Sequence, residues 1–455
     1  MVSTLAGLAD QPTEDPYTAV KRRESSARTY AATFEAVFES GAGIRMRDHS
    51  GREIIDCLSC AGALPLGHNH PEILDALLVF LGSGHVHQAL DLTTPAKCAF
   101  VDELFGLLPP EWAARAKIQF CSPSGSDAVE AAMKLTRFAT GRQPIIAFHG
   151  AYHGMTGGAL AAMGNLTAKA ALPGGSGGIH FAPYPYQFRC PFGSDGEATD
   201  RLAIEYLATL LDDPESGISR PAAVIVEVIQ GEGGCIPASD QWLRQLRQLT
   251  RDRAIPLVID EVQTGFARTG TMFAFQRAGI VPDVLVLSKA VGGGFPLAVV
   301  VYDEALDRWP RGMHAGTFRG NQIAMVAGTA TMAILRRDRL ADHAAELGAL
   351  LIDGLRQIAA DHPELGDVRG RGLMIGVEIV APAPGAPRGR QDGALSAAIK
   401  RAAFDSGLLL ETGGRHGSVI RLLPPLILTR SDAGAILDRL ELAVRTAKRQ
   451  LPRRV

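Results

Sequence analysis

The chain has 455 residues, 46% apolar and 21% charged, with a formal net charge of −2 and a pI near 6.6. That length supports a large core and two domains around one site. The near-neutral balance excludes the broad basic surface of a nucleic-acid binder, and no run of about 18 apolar residues exists to span a membrane as a helix.

In chain order, residues 1–25 read as an N-terminal arm, without the basic stretch and apolar run of a signal peptide. Six cysteines, at 57, 60, 98, 121, 190 and 235, are too sparse for a disulfide scaffold, so a cytoplasmic location is expected. IRMRDHSGREIIDCL predicts a hairpin turning at Asp48–Gly51. LGHNHPEILDALLVFL predicts a helix from Pro71, where proline suits the first turn. From about residue 95, helices alternate with short apolar strands. KIQFCSPSGSDAVEAAMKLTRFATG is strand, glycine turn and helix; PIIAFHGAYHG, AAVIVEVIQGEGG, PLVIDEVQTGF, DVLVLSKAVGGG and PLAVVVYDE are strands with their loops. Such alternation implies a mostly parallel sheet covered on both faces, with ligands beyond the carboxyl ends of its strands.

After about residue 335 the texture changes to long amphipathic helices and a few strands, LMIGVEIV and VIRLLPPLIL. APAPGAPRGRQDG reads as a surface loop by composition. The Arg-rich tail (Arg445, Lys448, Arg449, Arg453, Arg454) is a solvated helix end. The expected fold class is α/β. A large domain, 76–334, carries a mostly parallel mixed sheet between helices, and a smaller α+β domain is built from 26–75 and 335–455.

Three features carry chemistry. Asp260 ends one apolar strand, and a carboxylate there needs a cationic partner or a donor. An ion pair with a structural arginine would suffice for Asp260 alone. Lys289 follows a second apolar strand, where desolvation lowers its pKa and suits it to Schiff-base formation. Gly125 and Ser126 open a helix, whose free N–H groups and dipole favour a phosphate. Together they describe a ligand with an aldehyde, a phosphate and a basic ring nitrogen, and pyridoxal 5′-phosphate (PLP) has all three.

The ordered motifs GHNHP, SGSDAVEAAMK, FHGAYHG, VEVIQGEGG, VIDEVQTGFARTG, VLSKAVGGGFP, GTFRGN and IRLLPPL resemble the class III (ω-amino) aminotransferases of PLP fold type I over nearly the whole chain. Three further segments, LDLTTPAKCAFVDELFGLLP, TGTMFAFQRAGIVPDVLVLSKAVGGGFPLAVVVY and HAGTFRGNQIAMVAG, are most similar to the diaminobutyrate–2-oxoglutarate aminotransferases of that family.

The resemblance implies Lys289 as the lysine that holds PLP as a Schiff base and Asp260 as the partner of the pyridine nitrogen. It implies Gln263 near the phenolic oxygen, Tyr152 stacked on the ring with His153 beside it, and Gly125 and Ser126 on the phosphate. Thr317 matches a threonine that reaches the phosphate of the other subunit, so a homodimer is implied. Arg421 matches an α-carboxylate clamp, and Glu232 its partner when a terminal amine is bound. Glu227 is expected to orient neighbouring polar groups.

The activity implied is transfer of an amino group between glutamate/2-oxoglutarate and the terminal carbon of L-2,4-diaminobutanoate/L-aspartate 4-semialdehyde. A class III enzyme with another aldehyde or ketone acceptor is the nearest rival. A fold-type-I racemase or decarboxylase, or a non-catalytic binding domain, fits less well with Arg421, Glu232 and an intact Lys289.

Other signals have blander readings. Cys57-x-x-Cys60 lacks the second pair of a zinc site, and His68/His70 and His85/His87 lack acidic or cysteine company, so no metal is expected. The G-x-S-x-G elbow of a serine hydrolase is missing.

Overall fold

The computed structural model describes residues 16–170, 177–194 and 196–450. Residues 1–15 of the expected arm, and Arg453 and Arg454, lie outside the described residues; Pro16–Arg23 is a helix. The core is a seven-stranded sheet whose strands, numbered here in chain order, are β1 (Ala116–Cys121), β2 (Ile145–Phe148), β3 (Ile179–Ala182), β4 (Ala223–Glu227), β5 (Leu257–Asp260), β6 (Val284–Leu287) and β7 (Ala298–Asp303). Every residue of β2, β4, β5 and β6 is buried. This is why these strands read as unbroken apolar runs rather than alternating ones.

The spatial order is β1-β7-β6-β5-β4-β2-β3, with only β7 antiparallel to its neighbours. The α/β class and the mostly parallel sheet expected from the alternation are therefore present. Register places the site chemistry: Asp260 pairs with Glu227 on β4 and with Val286 on β6. Two carboxylates thus leave the sheet at the same edge, and Lys289 emerges two residues past β6.

Helix α1 (Gly125–Thr140) packs against β6 and β7 through Ala128, Val129, Ala131, Ala132 and Leu135. It starts where Ser124 Oγ accepts from the Ser126 N–H, and stops at Gly141 in the left-handed region. The expected helix from Pro71 spans Pro71–Gly82.

The two ends of the chain meet, because Ile55 and Asp56 pair in parallel with Leu408 and Leu409. A separate sheet carries Leu365–Arg371, Met374–Ala383, Val419–Leu422 and Glu411–Gly413. One expectation is corrected here. APAPGAPRGRQDG is no simple loop, since Ala386–Gln391 folds back antiparallel on Met374–Ala383. Pro384 and Gly385, the latter with φ 72°, make the turn that this dipeptide favours. Among the described residues no helix is long and apolar enough to cross a membrane, and all six cysteines are unpaired.

Candidate active site

A cavity opens at the carboxyl ends of β4, β5 and β6. Gly125, Ser126, Tyr152, His153, Asp260, Gln263, Lys289 and Glu232 all line it. Of the residues singled out in the sequence, Arg421 is held just behind Glu232. Thr317 is exposed at the start of the 3-10 turn Thr317–Gly320 and is not among the lining residues.

At one end of the cavity the loop after β2 presses onto the start of α1. Ser126 Oγ accepts from the Met155 N–H at 3.1 Å. A Cβ on Gly154, whose φ is 121°, would sit 2.1 Å from that oxygen, so only glycine permits the approach. The positive end of a sixteen-residue helix therefore faces the cavity.

Next to it, Asp260 Oδ2 lies 2.7 Å from His153 Nδ1, and Oδ1 accepts from the Val262 N–H at 3.0 Å. The carboxylate only accepts, so the imidazole carries its proton on Nδ1. Burial opposes charge on His153, but the Asp260 hydrogen bond and charge outweigh it and raise its pKa.

Lys289 has φ 51°, a left-handed conformation unusual for a residue with a Cβ and a sign of local constraint. Burial is the largest influence on its amine and lowers the pKa; Glu232 pulls the other way, and Arg421 reinforces the lowering. The shift is toward the neutral, nucleophilic form.

On the far side Arg421, 1% exposed, makes a fork-on-fork contact with Glu232, Nη1–Oε1 at 2.6 Å and Nη2–Oε2 at 2.9 Å. Its strand is central in its sheet, with Gly376 opposite on one side and Glu411 on the other, which anchors the guanidinium. Burial would favour loss of its proton, yet the Glu232 charge overrides that and raises the pKa.

Glu227 is more than an orienting group at a strand end. It lines the cavity and clasps two loops at once, accepting from Tyr152 N–H at 2.9 Å and Gly231 N–H at 3.0 Å. Burial pushes its carboxyl up to about 7. A carboxyl raised in the folded state contributes stability that is full below its unfolded value near 4.5 and lost as pH rises through about 7. Glu227→Gln should therefore flatten the decline of unfolding free energy between these two pH values. Denaturant titrations at both ends of that window check it; an unchanged slope counts against a raised Glu227.

Tyr30 is a residue the sequence reading missed. Although the residue is 40% exposed, partial burial of its phenol and then the charges of Glu232 and Glu411 push it up to about 12. RTYAATF carries no motif that announces this. The set-aside histidines have packing roles: His85 and His87 flank the Phe80 ring at 6.0 and 5.7 Å, and His68 Nε2 meets Asp56 at 2.9 Å.

The donor set fits a phosphorylated pyridine aldehyde. A helix N-terminus could receive a phosphate, a buried carboxylate could pair with a ring nitrogen, and a desolvated amine could meet an aldehyde carbon. Comparison with known proteins points the same way. The family model for class-III aminotransferases matches residues 25–444. A diaminobutyrate–2-oxoglutarate aminotransferase from Rhizobium meliloti (strain 1021) is 54% identical over 90% of this chain and 88% of its own. The protein of that name from Haemophilus influenzae is 45% identical over 92% and 93%. Among solved structures, an amine transaminase from an uncultivated Pseudomonas species, in PLP-bound form, matches with a TM-score of 0.83 at 27% identity, covering 96% of this chain and 99% of that one.

Proposed function

Because the chain belongs to the class III aminotransferases, we propose that it moves an amino group between glutamate/2-oxoglutarate and the terminal carbon of L-2,4-diaminobutanoate/L-aspartate 4-semialdehyde, using PLP. The observation that carries the two-substrate reading is the bidentate Glu232–Arg421 pair on the cavity wall.

When bound, PLP supplies an electron sink for the pair left on the substrate carbon. The chain's residues do the rest. The α1 N-terminus with Gly125 and Ser126 would bind the phosphate, Tyr152 would cover one ring face, and Gln263 would stand beside the ring's phenolic oxygen. Asp260, steered by His153, would hold a proton on the ring nitrogen. Lys289 Nζ would form the covalent link, be displaced by the incoming amine, and then take the proton from the carbon bearing that amine.

Arg421 would grip the α-carboxylate of glutamate or 2-oxoglutarate once Glu232 swings away. With a terminal amine bound the reacting carbon bears no carboxylate for Arg421 to grip, and Glu232 would return to neutralise the guanidinium. One site can then serve both halves of the reaction.

The test is a donor panel against 2-oxoglutarate: diaminobutyrate, ornithine, lysine, γ-aminobutyrate and β-alanine. Diaminobutyrate should lead the others in kcat/KM by about tenfold or more, roughly 1.4 kcal/mol in transition-state binding. Another donor at or above it sinks the substrate while leaving the transaminase.

A homodimer is part of this reading. Thr317 and Phe318 are exposed and do not line their own cavity, and Leu78 and Val79 on helix Pro71–Gly82 are also exposed. Apolar surface of that kind fits an interface with a second copy. Thr317→Ala should weaken cofactor retention about tenfold, a loss of roughly one hydrogen bond to a charged group, in a particle of twice the chain mass. A monomer that retains cofactor fully would refute it.

A further inference from the structure

Two motifs remain without a role in the chemistry, Cys57-x-x-Cys60 and GHNHP, and the structure brings them together beside the cavity. Between them Ser59, Cys60 and Ala61 adopt φ values of 48°, 50° and 56° in succession. Three consecutive left-handed residues with a Cβ are intrinsically unfavourable and persist only where their surroundings impose them.

The imposing group is Asp56. Its Oδ1 accepts from the N–H groups of Leu58 and Ser59, both at 2.8 Å, and its Oδ2 faces His68 Nε2 at 2.9 Å. His68 is itself pinned. Its N–H and carbonyl exchange hydrogen bonds with Gly43, and its imidazole lies so close to Gly41 that a Cβ there would sit 2.8 Å from Cγ. The buried Arg268 also interacts electrostatically with Asp56.

The turn has one consequence inside the cavity. The Ala61 carbonyl accepts from Gln263 Nε2 at 3.1 Å. A carbonyl only accepts, so it decides which way the amide points. Nε2 has two hydrogens, and one is left for an acceptor in the cavity that Gln263 lines.

We propose that Asp56 and His68 are positioning residues for the cofactor's ring oxygen: they hold the left-handed turn whose Ala61 carbonyl fixes the Gln263 amide with one N–H free to donate to that oxygen. The proposal rests on the PLP reading of the cavity and adds to it a route from the GHNHP motif to the cofactor's electronics. A donated N–H favours the charged form of the ring oxygen; without it, that oxygen holds its proton to higher pH.

The experiment follows the pH midpoint of the long-wavelength absorbance of the cofactor-loaded protein. Gln263→Ala should move the midpoint up by about one pH unit, and Asp56→Ala should move it the same way. The double variant should shift no further than Gln263→Ala alone, since both act through one hydrogen bond. A merely structural role for Asp56 predicts either no shift or one that adds to that of Gln263→Ala, and either result overturns the proposal, as does a Gln263→Ala midpoint equal to the wild type. Should Asp56→Ala not fold, His68→Leu must raise the midpoint and His68→Gln, which restores a donor to Asp56, must hold it near the wild-type value. A wild-type protein that acquires no absorbance from PLP would instead refute the cofactor assignment itself.

Discussion

Lys289→Ala should lower transamination by about 10⁴-fold or more while leaving the fold intact and PLP able to bind without its covalent link. Lys289 is the only lysine lining the cavity among the described residues, so no neighbour can substitute for its amine. Its pKa is lowered chiefly by burial, which means the folded protein disfavours its charge. The sign of the stability effect follows. A lysine whose folded pKa is depressed makes a negative contribution to stability below its unfolded pKa, so its removal should not lower the melting temperature of the cofactor-free protein at neutral pH. The covalent link and the proton transfer are separable. The long-wavelength absorbance should vanish in the variant even where PLP remains bound through the α1 N-terminus and Asp260. An added small primary amine should recover part of the activity by supplying the missing base. An unchanged spectrum would remove Lys289 from the chemistry altogether.

Lys289 and Asp260 were legible because each ends an unbroken apolar run, and β5 and β6 are indeed wholly buried up to those points. The phosphate site was legible because Ser-Gly-Ser before an amphipathic run is a helix start wherever it occurs. What a single sequence does not encode locally was missed. The turn at Ser59–Ala61 has no residue with a left-handed preference; it is imposed by Asp56 and by His68, twelve positions away. The hairpin closed by Pro384 and Gly385 was hidden by loop-like composition, because an edge strand such as Ala386–Gln391 takes its conformation from its partner rather than from its own hydrophobicity. The charges of Glu232 and Arg421 act on Tyr30 although both are distant in the chain, an influence that no periodicity reports. Ala267 likewise sits at φ 70°, a left-handed conformation that nothing in its own side chain favours.

Arg421→Ala should separate the two halves of the reaction. The guanidinium is buried, and it meets Glu232 through two short hydrogen bonds, so the pair is a well-formed resting state rather than a loose surface contact. For a carboxylate substrate to displace Glu232, its own contact with Arg421 must be at least as good, and the planar fork supplies that geometry. Truncation removes the contact and leaves Glu232, with its side chain 35% exposed, to repel the incoming α-carboxylate. Loss of one partner from a hydrogen-bonded charge pair costs about 2–5 kcal/mol, so kcat/KM for glutamate and for 2-oxoglutarate should fall by roughly 30- to 5,000-fold. The terminal-amine half presents no α-carboxylate to Arg421, and its kcat/KM should change by less than about tenfold. Arg421→Lys should recover little of the loss, because an ammonium cannot reproduce two parallel N–H donors. Single-turnover rates measured separately with glutamate and with diaminobutyrate decide the matter. Equal losses in both halves would mean that Arg421 supports the cavity wall without choosing between substrates, and the Glu232–Arg421 pair would then be a structural ion pair.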